Sequence, residues 1–306
     1  MAATCLLVAC SAEVREDEQT SGSLPTTLSD GTGGGVETGE DATTEPGTTG
    51  GGLILDVGAP PTTTVDPDSV GPEGCEQDID VVFVMDVSTT MGPFLGALAD
   101  QMLAVDQAIA ALNLPSPPQY GLVVFVDDFA LLGKGQPYAD AAALQADFQE
   151  WSAFTSSNSQ VSGSGSNGTW PENSLDALHV AAAGYAWRPA DTTSRIIIHT
   201  TDDTFSEAPN VVDGITVQHD YPQTVQALQD QQIRVFSFTA DIGGSCNCED
   251  VAPGWSAPYG GQPAIPEATD GARFDIDQVL GGTLDLSEAI NTSIEGAICD
   301  PYEPVG

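Results

Sequence analysis

Asp78-Ile79-Asp80-Val81-Val82-Phe83-Val84-Met85-Asp86-Val87-Ser88-Thr89-Thr90-Met91 is the stretch that decides the fold. A run of β-branched and apolar residues without alternation reads as a strand covered on both faces, as the central strand of a parallel sheet is. The run ends in a carboxylate, and two hydroxyls follow at two-residue intervals. Asp86, Ser88 and Thr90 are therefore expected on the loop at the carboxyl end of the strand, where open α/β sheets bind their ligands. One carboxylate and two hydroxyls are hard oxygen donors. They suit Mg²⁺, or Mn²⁺ or Ca²⁺ in its place, and not Zn²⁺.

Outward from that strand the chain alternates helices and strands. Phe94, Leu98, Met102, Val105, Ile109 and Leu112 step by four and three along one face of a helix, stopped by Leu114-Pro115-Ser116-Pro117-Pro118. Tyr120 to Val126 reads as a second buried strand ending in Asp127-Asp128, and 139–151 as a short helix. A polar loop, Ser162 to Glu172, leads into a helix with Leu175, Leu178, Ala182 and Tyr185 on one face. Arg195 to Thr201 is a third strand, ending in Asp202-Asp203. Asp220-Tyr221-Pro222 caps a helix that runs to about Gln231. Ile233 to Thr239 is a fourth strand, 241–271 an irregular loop, Ala272 to Ile276 a short last strand. Leu286, Ile290, Ile294 and Ile298 mark a final helix. This order predicts an open, doubly wound, mostly parallel α/β sheet with helices on both faces.

The rest of the chain is of another kind. Residues 11–74 are Gly-, Thr-, Ser-, Pro- and acid-rich, with no aromatic residue before Phe83. Such a segment buries too little apolar surface to offset its ordering entropy and is expected to be a disordered acidic linker. Residues 75–300 are then the folded domain and 301–306 a tail. At the start, Leu7-Val8-Ala9-Cys10 matches the bacterial lipobox. Cys10 would be the lipidated residue of an exported, membrane-anchored lipoprotein, periplasmic or at the cell surface, although the apolar run is short and lacks a basic segment before it. Against 45 Asp+Glu stand 6 Lys+Arg, a formal net charge of −39. That field repels phosphate backbones, so nucleic acid is excluded as a partner, and it gathers divalent cations. No Gly-x-Ser-x-Gly elbow and no phosphate-binding loop occur. His179, His199 and His219 fall in a helix, a buried strand and before a helix cap, which reads as structural.

Asp86, Glu172 and Asp202 all fall at strand or helix edges. Brought together without a cation they would repel, and one or more would take up a proton. These residues also carry a resemblance. Asp86-Val87-Ser88-Thr89-Thr90, Thr169-Trp170-Pro171-Glu172, Ala186-Trp187-Arg188, Thr200-Thr201-Asp202 and Asp220-Tyr221-Pro222 follow, in order, the pattern of the von Willebrand factor type A domain. The match resembles most the version found in integrin β-subunits, over roughly residues 78–298. The resemblance implies a metal-ion-dependent adhesion site. In it Ser88, Thr90 and Glu172 would bind Mg²⁺ directly, and Asp86 and Asp202 mainly through water. The open position would accept an Asp or Glu from a protein partner. The chain departs from the pattern at Gly92-Pro93, where the integrin type has two aspartates for an adjacent ion. A further ion would use Asp127, Asn167 and Glu172, although Thr169 stands in place of a second Asp there.

In that family the ends of the domain lie close together, which implies a Cys75–Cys299 disulfide and a restrained last helix. Cys246 and Cys248 would form a bridge of their own. Trp170, beside the Pro-Glu pair, would flank the ligand or pack on its own loop. The reading is an adhesion or protein-binding module and not an enzyme, with the acids placed on the rim and outside the core. The alternatives are a metal-dependent hydrolase using the same acids and a scaffold with a vestigial site.

Overall fold

A computed structural model of the chain describes residues 76–168, 170–243 and 249–305. Cys10, Cys75, Thr169, Cys246 and Cys248 lie outside them, as do the linker and the lipobox. Six strands form the main sheet: β1 (Asp78–Asp86), β2 (Gln119–Phe125), β3 (Phe129–Leu131), β4 (Thr193–Thr201), β5 (Ile233–Thr239) and β6 (Ala272–Asp275). Their order is β6-β5-β4-β1-β2-β3. All neighbours are parallel except β2 and β3, which pair antiparallel. The helices are α1 (Gly92–Ala110), α2 (Ala141–Phe154), α3 (Ser174–Gly184), α4 (Tyr221–Asp230), α5 (Ile265–Ala268), α6 (Ile276–Leu280) and α7 (Leu286–Ala297). The expected doubly wound architecture is the observed one.

β1 shows why its sequence makes this fold. Ile79, Val81, Phe83 and Met85 pack with α1, α2 and α7 on one face. Val82 and Val84 pack with α3, α4 and α5 on the other. Every residue of the strand after Asp78 is buried, so a polar alternation would have left one face without its core. On α1 the predicted face is the buried one, from Phe94 through Leu98, Met102 and Val105 to Ile109. Asp220 caps α4 in a reciprocal capping box with Gln223.

Two features depart from the sequence reading. β3 was not predicted, because Phe129-Ala130-Leu131 is too short to show a period. The segment 241–271 is not wholly irregular: Ile242–Gly243 pairs with Glu249–Asp250, and α5 follows. Its Trp255 is fully buried, stacked on His199 with ring centroids 4.3 Å apart. Cys299 is disulfide-bonded. The partner expected for it, Cys75, is outside the described residues.

β1 pairs with β2 on one side and β4 on the other. The sheet's winding reverses there, and the carboxyl ends of β1 and β4 open a crevice at that point.

Candidate metal centre

Three chain segments meet at this crevice. The first is the β1–α1 loop. It leaves the sheet at Asp86, turns through a short 3-10 segment (Thr89–Met91) and enters α1 at Gly92-Pro93. Gly92 is required by packing: a Cβ there would come within 2.7 Å of the Thr155 hydroxyl oxygen. The second is the segment around Glu172, reached through a cis Trp170–Pro171 bond. The third follows β4 and carries Asp202 and Asp203.

Backbone hydrogen bonds join the segments. Glu172 N donates to Thr204 O (3.0 Å) and Ser206 N to Glu172 O (2.8 Å), while Asn173 N donates to Val126 O (2.9 Å). Asp128 fixes the polar loop ahead of Glu172. Its carboxylate accepts from Val161 N (2.6 Å), Ser162 N (2.7 Å) and Gly163 N (2.9 Å).

Within this frame Asp86, Ser88, Thr90 and Asp202 are linked to one another, and Glu172 lies outside their grouping. Asp86 accepts from Ser88 N (2.7 Å) and from the Thr201 hydroxyl (2.7 Å). Ser88 Oγ and Thr90 Oγ1 are 3.4 Å apart, and the Thr90 hydroxyl donates to Asp202 (2.9 Å). Glu172 accepts from the Asn167 amide (3.0 Å). Trp170 stands at the edge, 54% exposed.

One expectation needs correction. The acids do not lie on a solvated rim: Asp86, Asp127 and Glu172 have no exposed surface, and Asp203 keeps only 4%. Asp202 is half-buried and Thr90 exposed, so these two face the solvent side. The reason is the joining of the loops, which roofs Glu172 over with the segment after β4.

Burial without a counter-charge is expensive. Among the described residues no lysine or arginine pairs with Asp86, Glu172, Asp202 or Asp203. Their protonation shows the strain. Burial, then repulsion from Asp202 and Asp203, holds the Asp86 carboxyl well above the carboxylate range. Burial and repulsion from Asp86 push Glu172 up to about 10. Burial and repulsion from Asp202 push Asp203 up to about 7. Burial raises Asp202 as well, against the hydrogen bond from Thr90.

The residues fit a hard cation. Carboxylate oxygens of Asp86, Asp202 and Asp203 lie within 4.8 Å of one another, the one such grouping of acids, histidines or cysteines among the described residues. Glu172 Oε2 and Asn167 Oδ1 are buried with no hydrogen-bond partner. A divalent ion would supply the missing positive charge and would become the largest charge in the site.

Sequence reasoning assigned the first member of each acid doublet and missed the second. Asp128 anchors the loop, and Asp203 enters the cluster. The doublets Asp127-Asp128 and Asp202-Asp203 were themselves the signal, since two acids in succession at a strand end must diverge. The histidines stay out of the cluster. His199 is buried between Phe125 and Trp255, and burial brings its imidazole down to about 3. His179 stacks on His219, which meets Asp176 at 2.7 Å.

The sheet order places an acid-and-hydroxyl loop at the switch point of an open, doubly wound, mostly parallel α/β fold. No family model matches the chain, and no curated protein matches it. Among solved structures it is similar to proximal thread matrix protein 1 of the mussel byssus. One crystal form aligns at 13% identity and a TM-score of 0.41, over 72% of this chain and 46% of that one. A structure described with a zinc-occupied MIDAS motif aligns at 14% and 0.43, over 74% and 48%. The chain thus spans about half the length of these structures, and a likeness this slight adds nothing to what the site's own geometry says.

Proposed function

We propose that the domain is an adhesion or protein-binding module of the integrin I-like kind, which captures an acidic side chain of a partner protein through a divalent cation. One observation carries this reading. Buried carboxylates with no internal counter-ion sit beside the two hydroxyls Ser88 and Thr90, in a crevice open on the Thr90 side. In this reading Ser88, Thr90 and Glu172 hold Mg²⁺ directly, and Asp86 and Asp202 orient its waters. Mg²⁺ keeps waters where protein supplies no ligand, and an acidic side chain is the natural replacement for one of them. At a net charge of −39 the protein would otherwise repel such a partner, so the ion must supply the local attraction.

Asp127 and Asn167 would serve a second ion, and Trp170 would flank the ligand. A lipid on Cys10 and the linker 11–74 would hold the domain away from a membrane, with a Cys75–Cys299 bridge closing its base. Hydrolysis is the weaker reading, because the imidazoles are engaged elsewhere and, among the described residues, no nucleophile and base pair stands beside the acids.

The test is capture of a partner in Mg²⁺ and in chelator, by wild type, Glu172→Gln and Asp202→Ala. Glu172→Gln keeps the volume and the Asn167 hydrogen bond and removes only the charge. Capture should disappear in chelator and in Glu172→Gln, and weaken in Asp202→Ala. Capture that persists in chelator and in Glu172→Gln excludes the acid cluster as the binding site.

A further inference from the structure

We propose that Asp203 is a further ligand of the cation, and that its presence turns the site from Mg²⁺ toward Ca²⁺. The inference rests on the reading that this cluster holds a divalent ion, and adds which ion it prefers.

Three observations place Asp203 there. A carboxylate oxygen of Asp203 lies within 4.8 Å of those of Asp86 and Asp202. The residue is 4% exposed. Its own backbone is fixed, with Asp203 N donating to the Thr201 hydroxyl (3.1 Å), yet no hydrogen bond reaches its side chain among the described residues. A buried carboxylate with a fixed backbone and no donor lacks the compensation that buried acids ordinarily have. The same Thr201 hydroxyl donates to Asp86 at 2.7 Å, so one residue positions both aspartates.

Charge and shell size then decide the ion. With Asp203 the grouping holds three carboxylates, Asp86, Asp202 and Asp203, and Glu172 lies outside it and acts on Asp86 through its charge. Mg²⁺ is bound through one or two carboxylates in a tight octahedron at about 2.0–2.1 Å and keeps several waters. Ca²⁺ accepts six to eight oxygens at about 2.3–2.6 Å and tolerates a carboxylate-rich, irregular shell. Oxygens up to 4.8 Å apart span no more than opposite ligands of a Ca²⁺ ion, about twice 2.4 Å. The neighbour Thr204 leads away from the cluster, its hydroxyl meeting Glu249 at 3.2 Å. Glu249 therefore adds negative charge beyond Asp203 without joining the grouping.

The experiment is calorimetric titration of the full chain with Ca²⁺ alone and with Mg²⁺ alone, for wild type, Asp203→Asn and Asp203→Glu. Wild type should bind Ca²⁺ more tightly than Mg²⁺. Asp203→Asn should lower Ca²⁺ affinity about tenfold or more and Mg²⁺ affinity less, so that the ratio of the two falls. Asp203→Glu keeps the charge and should retain most of the Ca²⁺ preference, which covers the case of an Asn variant that does not fold. A Ca²⁺/Mg²⁺ ratio that is the same in wild type and Asp203→Asn overturns the role of Asp203 and leaves the proposed function standing. A wild type that binds neither ion overturns both.

Discussion

Asp80 and Asp86 are carried by the same strand, and neither has exposed surface. At the amino end of β1, Arg188 answers the charge. Its Nε donates to Asp80 (2.7 Å) and its backbone N to the other oxygen of that carboxylate (2.7 Å). Its Nη1 pairs with Asp78 (3.1 Å), and its Nη2 donates to Ile79 O. Ser116 completes the arrangement, donating to Asp78 from both its N (2.9 Å) and its hydroxyl (2.7 Å). At the carboxyl end, Asp86 has hydroxyl and amide donors but no cation, and acids surround it. One end of the sheet is neutralised from within the chain. The other has no basic side chain against it among the described residues. The chain has 6 Lys+Arg in all, so where they stand is informative.

The largest effect should come from breaking the amino end. Arg188→Met leaves Asp80 buried and unpaired, and should destabilise the fold by about 3–5 kcal/mol in denaturant unfolding. The loss should be the same with and without divalent ions. A loss that metal repairs would mean that the two ends are not independent.

The carboxyl end should respond with the opposite sign. In chelator at pH 7, Glu172→Gln should stabilise by about 2–3 kcal/mol, because it removes a carboxyl whose folded state resists ionisation. The sign follows from proton counts. With its value raised to about 10, folded Glu172 holds a proton that the unfolded chain has lost from about pH 4.5 upward. Stability of the metal-free wild type therefore falls as pH rises through that window, and the advantage of Glu172→Gln vanishes toward pH 4. Denaturant unfolding across pH 4–9 reads this directly. A wild type that gains stability from pH 5 to 8 in chelator would contradict the unneutralised cluster.

The smallest effect is expected at Thr90. The side chain is exposed, and its hydroxyl donates to Asp202 and meets Ser88 Oγ at 3.4 Å. Thr90→Val should change stability by less than about 1 kcal/mol. It should weaken cation binding measurably in the same titration, since it removes an oxygen donor. If stability falls and cation binding does not, Thr90 is a structural residue and not a ligand.

Much of this was legible in the sequence, for stated reasons. β1, β4 and β5 are rich in β-branched and aromatic residues with few polar interruptions, and such runs fit little else than covered parallel strands. α1 and α7 keep their period over several turns. The site residues Asp86, Ser88 and Thr90 could be placed because a loop at the carboxyl end of a strand has a fixed position in this architecture. What the sequence hid depends on contacts between distant segments. Burial of Glu172 follows from its pairing with Phe205, which no local pattern encodes. The second acids of the doublets, Asp128 and Asp203, take their roles from neighbours 33 or more residues away, or from the far side of the crevice. Trp255 lies in a stretch without period, and only the tertiary structure shows that it stacks on His199.

The backbone bonds that tie Glu172 to Thr204 and Ser206, and Asn173 to Val126, have a consequence for local unfolding. The segment carrying Glu172 shares its amide protection with the segment after β4 and with the end of β2. No one of the three can exchange its protons with solvent by fraying alone, because each opening breaks the bonds of a neighbour. The crevice therefore opens as one cooperative unit, and the free energy of that opening belongs to the cluster as a whole.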